Sequence, residues 1–322
     1  MTIEKRGKNY RVKQMADGRL YAVTVPYKPT KKEAFDLIQA KINRIPDVMS
    51  FGMAAEEYIS VKKKVLSPST IRGYESIKEN IPKWFNKMDI VEIDNYYLQK
   101  LVSEYSDKHS AKSTHNLYGF VRASIRMFLP QSGICATLPT KPRHEAYTPT
   151  REDIKEILDD ADGTPYYIPI YLAMFSLRNS EICALSIFDL SKDDVITINK
   201  ALVKGSDGYV LKPTPKTDKS NREIKIPHDL AERIRKQGYV YKGYPLQISK
   251  YLTRVQKRLN IPHFGIHRLR HYFASYAHEL GYTDAIIQAV GGWSTDHVMK
   301  SVYRHAMNAD EAKNKMVSDM SV

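Results

Sequence analysis

The sequence contains little cysteine and no long apolar run. Its 322 residues include two cysteines, Cys135 and Cys183, too few for a disulfide framework or a cysteine-based zinc site. This scarcity predicts a protein of a reducing compartment. No segment approaches the ~18 consecutive apolar residues of a membrane span, and no signal-peptide pattern opens the chain. We therefore expect a soluble, cytoplasmic protein that does not bind membranes.

Acidic side chains are also scarce relative to basic ones. The chain has 36 Asp and Glu against 50 Lys and Arg, which gives a formal net charge of +14 and a pI near 9.4. Such an excess favours a polyanionic partner, usually nucleic acid, over the alternative of a merely solvated basic surface. The sequence lacks both the carboxylate cluster of a metal-dependent nuclease and the GxxxxGK[ST] loop of a nucleotide-hydrolysing enzyme. We therefore expect neither a metal nor a nucleotide cofactor.

Basic residues are concentrated in the first 46 positions. Residues 1–46 hold eleven Lys and Arg against four Asp and Glu. Polar residues alternate with β-branched and aromatic ones on both sides of the turn at 16–19, which predicts a hairpin or a three-stranded sheet. A helix with Thr30 as its N-cap follows. A small basic module of this kind could place its sheet in a DNA groove.

Three further regions follow along the chain. Residues 49–138 carry apolar stripes at helical spacing and predict a compact, all-helical domain of four or five helices. Residues 139–149 contain three prolines and no periodicity, which is typical of a linker. Residues 150–322 are predicted to be mainly helical, with three strands between residues 195 and 227 that form a small antiparallel sheet. The predicted fold class is therefore α+β and multidomain.

The stretch GIHRLRHYF holds the densest group of titratable and cationic side chains. On a helix, His267 faces the same side as Arg270 at i+3 and His271 at i+4. A metal site would need a third ligand, and the two arginines of this stretch would repel a divalent cation. Guanidinium and imidazole donors instead suit an anion with several oxygens, such as phosphate.

Other segments offer side chains that could complete a phosphate site. Arg178 and Glu181 stand at i, i+3 between apolar stretches in FSLRNSEICAL. Lys216 lies near the turn of a predicted hairpin, and Trp293 and Tyr303 follow a Gly-Gly turn. Taken singly, each has a plain structural reading: an ion pair, a solvated lysine, a packed aromatic ring. Their common order along the chain is more specific than any one of them.

That order is similar to the tyrosine recombinase (phage integrase) family, which uses Arg, Lys, His-x-x-Arg, His or Trp, and Tyr. The matching residues are Arg178, Lys216, His267, Arg270, Trp293 and Tyr303. The succession of regions also resembles the three-domain integrases of temperate phages and conjugative transposons. This resemblance implies an arm-type DNA-binding module at 1–46, a core-binding domain of the SAM-like type at 49–138, and a catalytic domain at 150–322.

The sequence departs from the family pattern at three places. The first arginine follows Ser176-Leu177, where the family commonly has Gly-Leu, and Trp293 stands where many members have His. Lys219 lies close enough to Lys216 to remain an alternative for the hairpin lysine. None of these departures removes a group that the chemistry needs.

The resemblance implies strand exchange through a covalent 3′-phosphotyrosyl intermediate. Tyr303 is expected to be the nucleophile, with His267 as the acceptor of its proton. Arg178 and Arg270 would bind the non-bridging oxygens, and Lys216 would protonate the leaving 5′ oxygen. Because the phosphotyrosyl link conserves the bond energy, religation would need neither ATP nor metal.

Three side chains are assigned supporting roles. Trp293 would contact the phosphate and pack, Glu181 would orient Arg178, and His271 would support the arginines from behind. These assignments complete the predicted site.

By the same resemblance we expect a site-specific DNA integrase that inserts and excises a mobile element or prophage in the bacterial nucleoid. Its DNA partners would be core-type and arm-type sites. It would act as a homotetramer on two synapsed duplexes, with an excisionase and a host DNA-bending protein as possible further partners. A plasmid or chromosome resolvase and a DNA-relaxing enzyme like type IB topoisomerases remain alternatives with the same chemistry. A non-catalytic DNA-binding protein should lack at least one of the six matching residues, and none is missing.

Overall fold

The computed structural model describes residues 1–16, 19–42, 49–141, 147–213 and 221–293. The chain divides into two compact units, residues 1–142 and 143–322. It is a mixed structure, largely helical with small antiparallel sheets, which confirms the coarse fold class. Among the described residues, none of the helices has the length and apolar character needed to cross a bilayer.

The first unit opens with a three-stranded antiparallel sheet and a helix. Its elements are β1 (Thr2–Arg6), β2 (Asn9–Ala16), β3 (Arg19–Val25) and α1 (Lys31–Ile42), with the strands in the order β1-β2-β3. The helix begins where expected, because the hydroxyl of Thr30 accepts the Glu33 N–H and the Glu33 carboxylate accepts the Thr30 N–H. The sheet and helix share a small core of their own.

Five further helices follow in the described residues of the first unit. They are α2 (Phe51–Lys62), α3 (Pro68–Glu79), α4 (Lys83–Lys87), α5 (Asn95–Ser106) and α6 (Ala111–Phe128). Side chains of Ser50, Ser67, Asp94 and Ser110 cap four of them. The predicted apolar stripes, such as Leu117 and Phe120 on α6, lie in a core separate from that of the sheet. The division of this unit into an arm-binding and a core-binding domain stays a prediction.

The second unit has seven α-helices among the described residues. Six of them pack around one large core, and the last packs in a smaller cluster with Ala274 and Trp293. The seven are α7 (Arg151–Ala161), α8 (Tyr167–Met174), α9 (Asn179–Ile182), α10 (His228–Gln237), α11 (Pro245–Leu259), α12 (His267–Glu279) and α13 (Asp284–Gly291). The first of them starts at a capping box between Thr150 and Asp153. The predicted apolar face of this helix is buried at Ile154 and Ile157.

The strands of the second unit number four in the described residues, not the three that the sequence predicted. They are β4 (Val195–Ile198), β5 (Lys200–Lys204), β6 (Tyr209–Pro213) and β7 (Arg222–Lys225). They form two separate antiparallel pairs, β4 with β7 and β5 with β6. Strand β5 was not predicted, because a single residue, Asn199, separates it from β4 and lysines occupy both of its ends. Strand β7 alternates buried and exposed residues, and this register turns Arg222 inward beside Ile224.

Candidate active site

Arg178 and Glu181 form a tight local pair at the start of α9. The Glu181 carboxylate accepts hydrogen bonds from the Arg178 backbone N–H at 2.8 Å and from its Nη1 at 2.6 Å. The Glu181 side chain is only 1% exposed, whereas that of Arg178 is 38% exposed. The sequence prediction that Glu181 orients Arg178 therefore has a geometric basis, with the guanidinium of Arg178 open to a ligand.

A second arginine, Arg222 at the start of β7, binds the same carboxylate. Its Nη2 lies 2.8 Å from Glu181 Oε2 and its Nη1 lies 3.3 Å from Oε1. Burial alone would raise the pKa of Glu181, but the hydrogen bonds and charges of Arg222 and Arg178 outweigh burial and hold the pKa below its ordinary value. Glu181 is therefore an anion at neutral pH.

Arg270 reaches the same place from α12. It is 1% exposed, its guanidinium lies 4.1 Å from the ring centroid of Trp293, and its Nη1 donates to the Ser176 carbonyl at 2.5 Å. Burial, followed by the charges of Arg178 and Arg222, lowers the pKa of Arg270 to about 9. Arg270 therefore remains a cation at neutral pH, although it is crowded by like charges.

The turn that ends α13 closes the site from the other side. The carbonyl of Gly292 accepts from Arg178 Nη2 and from Arg270 Nη2, both at 3.4 Å. Gly292 has φ +65°, and a Cβ there would lie 2.8 Å from the Arg222 Cδ, while a Cβ on Gly291 would overlap the Trp293 ring. Only glycine fits this turn, because its backbone touches both a buried arginine and a buried indole.

Ser176 links these elements through its backbone. Its carbonyl accepts from Arg270 and, at 3.2 Å, from Arg222 Nη2, and its hydroxyl lies 3.4 Å from the Gly291 carbonyl. Ser176 is fully buried and has φ +69°, a left-handed conformation that glycine adopts more readily. The Ser-Leu departure from the family's Gly-Leu therefore falls at a strained position.

The two histidines of α12 differ in their surroundings. Solvent reaches His267, but desolvation by the atoms packed around it, together with the charges of Arg270 and Arg178, lowers its pKa. Burial and the neighbouring charges of Arg268 and His267 lower the pKa of His271 to about 4. Both rings are thus neutral at pH 7. In the described part of the chain, His271 makes no hydrogen bond to Arg178 or Arg270, and its Nδ1 is buried without a partner.

Five of the eight predicted site residues therefore meet in one place: Arg178, Glu181, His267, Arg270 and Trp293. His271 lies one turn along α12 from His267, with ring centroids 5.2 Å apart. Lys216, its alternative Lys219 and Tyr303 lie outside the described residues. Their positions stay predictions.

The sequence profile of the phage integrase family matches residues 150–310, half of the chain. The chain belongs to the phage integrase family. Members of this family are tyrosine recombinases that cleave and rejoin DNA, and the integrase described here is a site-specific DNA recombinase of this kind. This membership confirms the resemblance drawn from the order of the six residues.

Solved integrase structures share the fold. An integrase of transposon Tn1549, in complex with transposon right end DNA, is 17% identical, covers 85% of this chain and 100% of its own, and superposes with a TM-score of 0.66. A lambda integrase tetramer bound to a Holliday junction is 14% identical over 93% of this chain and 94% of its own, with a TM-score of 0.58. No curated protein sequence matches the integrase closely enough to serve as a relative.

Sequence reasoning missed Arg222. It read REIKIP only as a strand. The available signal was register, because Arg222 shares the inward face of that strand with Ile224 and Ile226. A cation at an inward position requires a buried carboxylate nearby, and Glu181 was already identified.

Proposed function

We propose that the integrase breaks one DNA strand by attack of the Tyr303 phenol oxygen on a backbone phosphorus. The bond from phosphorus to the 5′ oxygen breaks, a 3′-phosphotyrosyl bond forms, and Lys216 gives a proton to the departing 5′ oxygen. His267 takes the phenol proton. Arg178 and Arg270 hold the non-bridging oxygens and stabilise the added charge of the transition state. Reversal of these steps with a different 5′ hydroxyl rejoins the strands.

The observation that carries this proposal is the convergence of two arginines from distant parts of the chain. Arg178 and Arg270 both donate to the single carbonyl oxygen of Gly292, so their guanidinium groups can reach a common acceptor. Each has donors in excess of its protein partners. This arrangement suits a phosphate, because each guanidinium could donate to one of its two non-bridging oxygens.

The state of His267 supports its proposed role as a proton acceptor. Its lowered pKa leaves the imidazole neutral at pH 7, and a neutral ring has a free nitrogen lone pair to receive the phenol proton. A phenol with an ordinary pKa of about 10 needs this help or strong cationic stabilisation at neutral pH. Trp293 stacks on Arg270 and is proposed to hold that guanidinium against the phosphate.

We propose double-stranded DNA as the substrate, with core-type sites bound by residues 49–138 and arm-type sites bound by residues 1–46. Solved relatives support this: lambda integrase has been seen as a dimer on a core site and as a tetramer on a Holliday junction. The proposed working form is accordingly a homotetramer across two duplexes. Integration and excision of a mobile element, aided by accessory DNA-bending proteins, is the proposed role in a bacterial nucleoid.

The decisive experiment is covalent trapping on a nicked duplex that carries the core site from the DNA flanking the coding sequence. A nick close to the cleavage point lets the short product diffuse away, so the protein stays attached to DNA. Wild-type protein should form this adduct, and Tyr303→Phe should not, because the variant lacks the attacking oxygen.

Tyr282→Phe is the matched control, since Tyr282 is an exposed tyrosine of the same unit and should trap DNA like wild type. Arg178→Ala should bind the duplex and form no adduct. An adduct formed by Tyr303→Phe would refute the assignment of the nucleophile.

A further inference from the structure

We infer that Arg222 is a positioning residue for strand cleavage, acting through Glu181 and Gly292 to hold the phosphate-binding arginines in place. This inference rests on the proposed function, since it concerns the same phosphate site. Arg222 lies behind that site, with its side chain 4% exposed. It therefore acts on DNA through other residues.

Arg222 fixes both oxygens of the Glu181 carboxylate. Its two terminal nitrogens bond Oε2 at 2.8 Å and Oε1 at 3.3 Å. The same two oxygens receive the Arg178 backbone N–H and side chain, respectively. A bidentate guanidinium sets the plane of a carboxylate as well as its position. The direction in which Glu181 holds Arg178 is thus set by Arg222.

The Arg222 side chain also contacts the turn at Gly292. The Arg222 stem packs against this glycine so closely that a Cβ would meet its Cδ at 2.8 Å and its Nε at 3.1 Å. The carbonyl of Gly292 is the oxygen shared by Arg178 and Arg270. A shift of Arg222 would therefore move this turn relative to both arginines. Arg222 also shares a second acceptor with Arg270, because both donate to the Ser176 carbonyl.

The local helix cannot supply this rigidity alone. Helix α9 is only four residues long, and the carboxylate that it carries is surrounded by protein, where an ion needs full compensation. Arg178 must also leave donors free for the phosphate. Arg222 provides the compensation from the opposite side, so Arg178 can serve Glu181 and a ligand together.

The test compares Arg222→Gln and Arg222→Lys with a matched control, Arg235→Gln. Arg235 also pairs with a carboxylate, Asp194, at 2.7 Å, and also donates to a backbone carbonyl, that of Ser191, at 2.8 Å. The protein used is the full chain. The measurements are single-turnover adduct formation on the nicked duplex at saturating DNA, DNA affinity, and the pH dependence of the rate, well below the thermal midpoint of each variant.

Misplacement of a reacting group by about 1 Å lowers rates by up to ~100-fold, so we expect Arg222→Gln to trap DNA ~100-fold more slowly and Arg222→Lys ~10-fold more slowly. Affinity for DNA should change little. Arg235→Gln should keep the wild-type rate.

The pH dependence of the trapping rate distinguishes a positioning role of Arg222 from a purely structural one. Removal of the Arg222 charge takes away the main partner that holds the Glu181 pKa down, so Glu181 should protonate at a higher pH. Two protonations shape the acid limb of the rate profile: that of His267, which must be neutral to accept the phenol proton, and that of Glu181. The Glu181 part of the limb should move to higher pH in Arg222→Gln, and the limb should stay in place in Arg222→Lys. A purely structural arginine would leave this limb unmoved in both variants.

A wild-type rate and an unmoved acid limb in Arg222→Gln would overturn the inference. If Arg222→Gln does not fold, the full rate in Arg222→Lys would overturn it, because lysine keeps the charge but loses the bidentate geometry. Failure of the wild-type protein to form any adduct would instead contradict the proposed function.

Discussion

Among the residues that the structure describes, Glu181 is the one carboxylate that binds two arginines of the site, and its replacement by glutamine tests how much that charge contributes. The amide keeps the shape of the side chain but removes the charge and turns one acceptor into a donor. Four N–H groups now donate to the carboxylate, two from Arg178 and two from Arg222. In the variant, at least one guanidinium would face an NH₂ group.

The expected loss in the free energy of unfolding follows from the burial of this ion pair. The Glu181 side chain is 1% exposed and that of Arg222 is 4% exposed, and loss of one partner from a buried ion pair lowers the free energy of unfolding by ~3–5 kcal/mol. A unit of this size loses about 2–4 °C in Tm per kcal/mol. We therefore expect Glu181→Gln to lower the Tm of the catalytic unit by about 10 °C, as followed by calorimetry of the full chain.

Asp189→Asn is the matched control. Asp189 is the third residue of a short 3-10 helix, Ile187–Asp189, as Glu181 is of α9. It accepts the Ser186 N–H at 2.7 Å and pairs with a cation, Lys200. That pair is more exposed, with side chains at 12% and 24%. The control should therefore lose only about 1 kcal/mol.

The pH dependence of the Glu181 variant has a definite sign. Because the folded-state pKa of Glu181 is depressed from its ordinary value of 4.5, its ionised form stabilises the fold above that value and the contribution is lost as pH falls through the folded pKa. The stability gap between wild type and Glu181→Gln should thus be full at pH 7 and narrow below pH 4.5. A gap that is small at pH 7, or constant with pH, would refute this account of the site.

Two further predictions concern backbone geometry. Ser176→Gly should be more stable than Ser176→Ala by about 1 kcal/mol in chemical denaturation, because both lose the hydroxyl but only alanine keeps a Cβ at φ +69°; equal stabilities would contradict the strain. Gly292→Ala should lose ~2 kcal/mol or more and trap DNA slowly, since its Cβ adds a clash with Arg222 to the cost of a positive φ. Gly163→Ala, at φ +73° with open space around it, should lose only about 1 kcal/mol and keep the wild-type rate.

Part of the site was predictable because it depends on local spacing. His267 and Arg270 fall on one face of α12 as their i, i+3 spacing predicts, and Arg178 meets Glu181 within a single turn of chain. The family order then added Trp293, which packs on Arg270. The first two placements follow from residue identity and sequence separation, whereas Trp293 was singled out by the family order.

The remainder depends on tertiary packing and on backbone atoms. Arg222 lies 41 positions from Glu181, and no local pattern links a strand to a helix start. The Gly292 carbonyl that meets both arginines belongs to a residue without a side chain. Ser176 was noticed as a departure from Gly-Leu, but its left-handed backbone and its two arginine contacts appear only in the folded chain.

The charge distribution of the folded site explains why it suits an anion. In the part of the site that the structure describes, the guanidinium groups of Arg178 and Arg222 bind the Glu181 carboxylate, and that of Arg270 is close enough to feel their charges. Positive charge is therefore in excess there before DNA arrives. The repulsion is felt most by Arg270, whose pKa is lowered to about 9. Among the described residues no carboxylate pairs with it, and carbonyl oxygens and the Trp293 ring hold it instead.

A phosphodiester entering beside Arg270 would supply the missing negative charge. Binding would then offset the repulsion among the arginines of the site. The stabilisation would be greater for the pentacoordinate transition state, because it carries more negative charge on its oxygens. Arg270 is held by carbonyl oxygens and the Trp293 ring, and in the described part of the chain it is hydrogen-bonded to no carboxylate, so its donors remain available to a phosphate. The same arrangement that makes this arginine poorly compensated in the free protein thus makes it effective in stabilising strand cleavage.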